Sequence, residues 1–76
     1  MKDLLEYIAK NLVDDPDQVS VKESNGEKAI VLELTVAADD MGKVIGKQGK
    51  IAKSIRTITK AAAAKEGKRV TVEIQK

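Results

Sequence analysis

The stretch Val44-Ile45-Gly46-Lys47-Gln48-Gly49 restricts the fold of this 76-residue chain more than any other. It sets two glycines three positions apart, after an aliphatic pair and before an amphipathic helical pattern that starts at Lys50. Because glycine has no Cβ, such a turn can bend sharply and come close to a ligand. The helix after it begins with unpartnered N–H groups and the positive end of its dipole. The sequence therefore predicts an anion-binding turn, and phosphate is the expected anion.

The charged residues around this turn are all basic. Between residues 43 and 60 there are six bases and no acid, namely Lys43, Lys47, Lys50, Lys53, Arg56 and Lys60. The net charge of +2 hides an asymmetry: residues 1–41 hold ten acids and four bases, a net of −6, while residues 42–76 hold ten bases and two acids, a net of +8. Lysines at a helix N-terminus are unfavourable unless an anion binds there. The basic half therefore indicates a polyanionic partner rather than only a solvated helix face.

The composition argues against several classes of function. The chain has no cysteine and no histidine, which removes the thiolate nucleophile and the usual acid–base group at neutral pH. The acidic loop Asp14-Asp15-Pro16-Asp17 lacks the glycine and glutamate of a calcium loop, so we expect it to end a helix and bind no metal. The residues around the turn match neither the dinucleotide fingerprint nor the P-loop. We therefore expect a protein that is not an enzyme and has no cofactor.

The sequence also bears on the expected cellular location. No apolar run approaches the length of a membrane span, and the residues after Met1 do not open a signal peptide. We therefore expect no membrane association and a cytoplasmic location.

The first half of the chain predicts a helix and two strands. The helix is expected over residues 2–13, with Leu4, Leu5, Ile8 and Leu12 facing inward. Val19 and Val21 alternate with polar residues in the first strand, and Asn25-Gly26 predicts a hairpin. The returning strand is expected to place one set of side chains on a single face, namely Ile30, Leu32, Leu34 and Val36.

The second half predicts two helices and a last strand. Asp39 or Asp40 is expected to cap a short helix that faces inward with Met41, Val44 and Ile45. The longest helix is expected over residues 50–65, with Gly67 as its C-cap and with the inward side chains Ile51, Ile55, Ile58 and Ala62. The last strand alternates Val70, Val72 and Ile74. A right-handed crossover would place it parallel to the second strand, with the helices on one sheet face. The predicted fold is thus α+β in the order α-β-β-α-α-β, with a three-stranded mixed sheet and one domain over residues 1–76.

A single nucleic acid strand laid along a groove suits these features. Glycines let the sugar-phosphate chain pass closely, lysines neutralise phosphates, and bases rest on apolar side chains. Tyr7 is the only aromatic residue and lies in the acidic half, so base contacts should be aliphatic and discriminate poorly among sequences. The predicted RNA-binding residues are Lys43, Val44, Ile45, Gly46, Lys47, Gln48, Gly49, Lys50, Lys53 and Arg56.

The glycine turn between two helices resembles the core signature of a KH domain, whose Gly-x-x-Gly loop clamps the backbone of about four nucleotides. The order of elements is similar to that of the type II, prokaryotic KH domain over the whole chain. Many KH domains have an aliphatic residue three positions after the second glycine, where this chain has Ala52; we expect the preceding Ile51 to lie in the core. The nearest resemblance is to the KhpA family, small bacterial proteins that consist of one type II KH domain.

This resemblance implies RNA binding as a homodimer, or as a heterodimer with the larger KH-containing protein KhpB, also called Jag or EloR. It also implies an RNA chaperone or regulatory role, linked in some bacteria to cell elongation, division and shape. Two linked sites would raise the effective concentration of the second contact. Two alternatives stay open: a dimerisation or scaffold module that keeps the KH fold, and a binder of single-stranded DNA, since nothing in the sequence reads a 2′-hydroxyl.

Overall fold

The computed structural model describes all residues, 1–76, as three α-helices packed on one face of a three-stranded sheet. The elements are α1 (Lys2–Lys10), β1 (Ser20–Asn25), β2 (Ala29–Thr35), α2 (Met41–Ile45), α3 (Lys50–Lys65) and β3 (Arg69–Gln75). The central strand β2 pairs antiparallel with β1 and parallel with β3. No helix combines the length and the apolar composition that crossing a lipid bilayer requires. The predicted α+β order and mixed sheet are confirmed.

The core lies between the sheet and the helices because β2 alternates strictly. Its buried side chains are Ile30, Leu32 and Leu34, and the residues between them are only half-buried. The pairing register sets Ile30 opposite Val70 and Leu32 opposite Val72, so the valines of β3 extend the same apolar face. The expected inward set of the returning strand, including Val36, is confirmed.

The predicted β1–β2 hairpin is present, but its tip lies beyond Asn25-Gly26. Asn25 pairs with Ile30, and the N–H of Gly26 donates to the carbonyl of Ala29 at 2.7 Å. The two residues at the tip are therefore Glu27 and Lys28. The carbonyl of Lys28 accepts a hydrogen bond from the N–H of Arg69 at 2.9 Å, which holds the tip against the start of β3.

Helix α1 is shorter than predicted, and three of the four residues expected to face inward, Leu5, Ile8 and Leu12, lie in or against the core. It ends at Lys10 rather than at residue 13, and the amide nitrogen of the Asn11 side chain donates to the carbonyl of Tyr7 at 2.8 Å. Leu5 and Ala9 are fully buried, whereas Leu4 lies at the exposed edge. Side chains four residues apart share a helix face, so the small Ala9 continues the stripe that Leu5 begins. Leu4 is the one residue of the expected inward set that is exposed, at 36%, because the buried stripe of Leu5 and Ala9 leaves it at the edge of the face.

Helix α3 has the predicted bounds, but the predicted inward face is only partly right: Ile55 is buried and Ile51 packs against the core, whereas the centre of the buried face lies elsewhere. The buried residues are Ala52, Ile55, Thr59 and Ala63, a face turned by roughly 75° from the predicted one at 100° per residue. Ile58 is 47% exposed. The alanines let the helix lie against the sheet, and Thr59 satisfies its hydroxyl within the helix by donating to the carbonyl of Ile55 at 3.0 Å. A helical pattern based mainly on isoleucines does not predict a buried face that consists largely of alanine and threonine.

We predict that truncations at two neighbouring isoleucines of α3 differ sharply in cost. Ile55 is 2% exposed, so Ile55→Ala should lower the free energy of unfolding by about 2–5 kcal/mol. Ile58→Ala is the matched control and should cost less than about 1 kcal/mol, since alanine also favours the helix. Urea denaturation at low protein concentration measures both. Equal costs would mean that α3 packs by the face predicted from the sequence.

Candidate nucleic-acid interface

The segment of residues 46–49, called the glycine turn below, has an uncommon backbone conformation. Gly46, Gln48 and Gly49 have φ angles of 77°, 59° and 73°. At Gly46 the ψ of 172° places the backbone in a region that only glycine adopts readily. A left-handed φ at Gln48 is rare for a residue with a side chain. The N–H of Gly46 closes α2 on the carbonyl of Gly42 at 2.9 Å, and the N–H of Gly49 closes the turn on Gly46 at 3.1 Å.

The two glycines of the turn have different surroundings. A Cβ on Gly46 would lie 2.6 Å from Cγ1 of Ile51, whereas a Cβ on Gly49 would meet no atom within 4 Å. Ile51 is half-buried and packs against the core, as expected. Gly46 is therefore required by packing inside the protein, and Gly49 leaves an open surface that a ligand can approach.

The two ends of α3 differ in capping. At its C-terminus, Gly67 follows the helix as predicted, and the N–H groups of Gly67 and Lys68 donate to the carbonyls of Ala64 and Ala63, both at 3.0 Å. At its N-terminus, no side chain caps the helix and its first turn holds no acid. The start of α3 thus presents donors and a positive dipole end without an internal anion.

Four of the five cations in the predicted binding set are available to a ligand. The side chains of Lys47, Lys50, Lys53 and Arg56 are exposed and form no ion pair. Lys43 differs, because its Nζ lies 2.5 Å from Oδ2 of Asp14 and 3.3 Å from Oδ1 of Asp40. The hydrogen bonds to Asp14 and to Asp40 raise the pKa of Lys43 above its usual value. Its charge is already engaged by two carboxylates.

Asp40 occupies the N-cap position of α2, so the expectation that Asp39 or Asp40 caps this helix is right about the position, but the Asp40 side chain makes no capping hydrogen bond. Its carboxylate is 2% exposed and accepts hydrogen bonds from the backbone N–H groups of Asp14 at 3.2 Å and Asp15 at 3.1 Å. Burial raises the pKa of Asp40. The two backbone donors and the Lys43 ammonium lower that pKa by more, so the net pKa lies below its ordinary value. Because the two backbone donors are more than twenty residues away in sequence, no local pattern indicates this role.

The aliphatic pair before the turn is divided between the core and the surface. Val44 is completely buried and has no side-chain surface for a base, while Ile45 is 36% exposed. The third expected inward residue, Met41, is half-buried. Ile45 therefore offers the apolar surface beside the glycine turn, and Val44 supports it from below.

A basic groove between α3 and the edge strand β3 extends the charged surface. One depression of 230 Å³ is bounded by Arg56, Thr59 and Lys60 of α3 and by residues 70–72 of β3. A second, of 510 Å³, shares Lys60 and is also lined by Lys68 and Arg69. Lys60, Lys68 and Arg69 are not in the set predicted from the sequence. Because a parallel last strand must start beside the end of α3, the sequence could have predicted that Lys60, Lys68 and Arg69 lie close together.

Comparison with known families and proteins gives consistent matches. Residues 2–74 match the family model described as the KH domain of KhpA/KhpB. RNA-binding protein KhpA of Clostridium acetobutylicum is 70% identical over 97% of this chain and 99% of its own length. The proteins of the same name from Aquifex aeolicus and Chlamydia trachomatis are 54% and 49% identical, also over 97% of this chain, and over 94% and 95% of their own lengths.

A solved structure supports the fold. A crystal structure of Era in complex with MgGDPNP and nucleotides 1506–1542 of 16S ribosomal RNA matches with a TM-score of 0.58 and 21% identity. The match covers 97% of this chain and 28% of the Era chain. At this identity the likeness concerns the arrangement of helices and strands alone.

We predict that alanine at the two turn glycines destabilises the protein unequally. Gly46→Ala places a Cβ against Ile51 and in a backbone region restricted to glycine, so it should cost more than about 3 kcal/mol. Gly49→Ala meets open space and should cost about 1–2 kcal/mol for the left-handed conformation alone. Chemical denaturation of both variants tests the difference. A Gly46 variant as stable as the Gly49 variant would show that Ile51 does not pack against the turn.

Proposed function

Because the chain belongs to the KhpA/KhpB KH-domain family, we propose that it acts as one KH domain and binds single-stranded RNA by holding the phosphate backbone at the glycine turn. The relatives that match nearly its whole length are named RNA-binding proteins. The observation that carries the proposal is the start of α3, which has no cap, no acid and a set of unpaired lysines. An anion there would satisfy the N–H groups and offset both the dipole and the lysine charges.

The RNA strand would run from the glycine turn along the basic side of α3. Lys47 and the uncapped N–H groups at the start of α3 would hold one phosphate, and Lys50, Lys53 and Arg56 would neutralise those that follow. Ile45 would support a base beside the turn. The groove toward Lys60 and β3 would accept the rest of the strand.

Low sequence specificity follows from the side chains that this surface offers. Tyr7, the only aromatic residue, lies on α1 and is 70% exposed, and the cations contact phosphates that carry no sequence information. We therefore propose that the protein serves as an RNA chaperone or regulator that acts on many transcripts in the bacterial cytoplasm. The family is non-enzymatic, in agreement with a chain that lacks histidine and cysteine. The names of the relatives favour RNA over single-stranded DNA.

The outer face of α3 supports dimerisation as a second proposal. Ile58 is 47% exposed and lines a shallow depression of 530 Å³ with Lys50, Lys53, Ser54 and Thr57. An exposed isoleucine in the middle of a helix gains stability when a partner covers it. We propose that Ile58 and the neighbouring Ser54 and Thr57 join two copies of the chain, or one copy and a KhpB-type KH protein, while Lys50 and Lys53 stay accessible to RNA. The pair would then present two RNA sites with a raised effective concentration.

We predict that Lys47→Asp with Gln48→Asp abolishes RNA binding and leaves the fold intact. Both side chains are exposed, so the free energy of unfolding should change by less than about 0.5 kcal/mol. Acids at this helix end also suit the dipole, while they repel phosphate. Fluorescence anisotropy with a short single-stranded RNA measures binding, and thermal denaturation measures stability.

The matched control for this double variant is Gln18→Asp with Lys22→Asp, which makes the same change in charge on exposed residues before and within β1. We expect this control to retain most of the affinity. If the variant at residues 47 and 48 binds as tightly as the parent protein, the glycine turn is not the RNA site, and the scaffold function is favoured.

We also predict a dimer at micromolar concentration. Sedimentation equilibrium should report twice the 8.2 kDa of one chain, and Ile58→Asp should shift the protein to the monomer without loss of helix signal. If the parent protein shows the mass of a single chain and no larger species at high concentration, the homodimer is excluded.

A further inference from the structure

Asp40 is the only charged side chain in the interior of the protein. Thr59, the other buried polar residue, bonds within its own helix, whereas Asp40 connects separate parts of the chain. Its Oδ1 accepts the N–H of Asp14 and the Lys43 ammonium, and its Oδ2 accepts the N–H of Asp15. A buried carboxylate is costly unless it is hydrogen-bonded, and here its donors come from the loop after α1 and from α2.

Helix α2, the segment that Asp40 anchors, is too short to be a stable helix without tertiary contacts. Helix α2 has five residues, Met41–Ile45, and isolated helices of fewer than about 12 residues are marginal in water. Within it only Val44 is fully buried. The position of α2, and with it that of Gly46, therefore depends on contacts with the rest of the protein: the apolar contacts of Val44 and Met41, the approach of Ile51 to Gly46, and the polar contacts of Asp40.

We infer that Asp40 is a positioning residue for the glycine turn and that Lys43 is its counterion rather than a phosphate ligand. The inference rests on the proposed RNA-binding function and assigns roles within that same site. Asp40 fixes the start of α2 against the loop at residues 14 and 15, and the short helix transmits that position to Gly46. Lys43 lies about one helical turn after Asp40, and its ammonium donates a hydrogen bond to the Asp40 carboxylate.

The contacts of Lys43 separate it from the other cations near the turn. To reach a phosphate, its ammonium would have to leave both Asp14 and Asp40, which would remove one of the donors that compensate the buried carboxylate. Lys47 and Lys50 have no such partners. The residues that face Lys43 are acids, and the anion-binding surface begins after it in the chain.

Salt dependence distinguishes a counterion from a phosphate ligand. For a single-stranded ligand, log K against log salt has a slope of about −0.7 per neutralised phosphate. Three or four contacts would give the parent protein a slope of roughly −2 to −3. Lys47→Met should reduce the magnitude of that slope by about 0.7. Lys43→Met, which keeps the side-chain length, should leave the slope unchanged.

Hydrogen exchange tests the positioning role without RNA. In Asp40→Asn and in Lys43→Met, the amides at residues 44–49 should exchange faster than in the parent protein, while amides in β2 and in the middle of α3 keep their protection. RNA affinity of Asp40→Asn should fall by roughly tenfold, as for the loss of one charge-assisted hydrogen bond. Lys47→Met is the control and should leave exchange unchanged.

Two results would overturn the inference. One is a reduction of the salt slope by Lys43→Met as large as that by Lys47→Met, which would make Lys43 a phosphate ligand. The other is unchanged exchange at residues 44–49 in both Asp40→Asn and Lys43→Met. If neither the parent protein nor any variant binds RNA, the proposed function fails, while the exchange data still decide whether Asp40 positions the turn.

Discussion

The chain reverses between α2 and α3 through one close contact, the packing of Ile51 against the backbone of Gly46. No side chain fits between them, since a Cβ on Gly46 would lie within 2.6 Å of Ile51. This contact brings the first turn of α3 directly under the end of α2. The residues that follow Gly46 are then forced outward, with left-handed angles at Gln48 and Gly49. The uncapped start of α3 and the exposed Lys47 lie directly beside this close approach.

The division of charge along the sequence has a structural counterpart. Acids of the first half supply internal contacts around α2, where Asp14 and Asp40 bind Lys43. Bases of the second half have few internal partners, and those at the start of α3 have none. A surface of unpaired cations repels itself and lowers stability. Such a surface is understandable where a polyanion compensates it, and the same reasoning explains why α3 lacks the acidic residues that commonly begin a helix.

Sequence patterns predicted the order of elements, the sheet topology and the bounds of α3, because these depend on local periodicity, on glycine and on chain connectivity. They failed where a long-range contact decides. The inward face of α3 depends on Ala52 and Ala63, whose small size matters only against the sheet. The role of Asp40 depends on N–H groups from the loop after α1. The contribution of Arg69 to the groove depends on the parallel return of β3 beside α3.

A nuclear magnetic resonance titration tests most directly whether the glycine turn holds the phosphate backbone. Uniformly nitrogen-15-labelled protein would be titrated at low salt with an unstructured RNA of eight nucleotides. We expect the largest changes in amide chemical shift at Lys47, Gln48 and Gly49 and in the first turn of α3, followed by smaller changes along the groove toward Lys60. Changes that are largest on α1 or on the outer face of the sheet, with the glycine turn unaffected, would contradict this role of the turn.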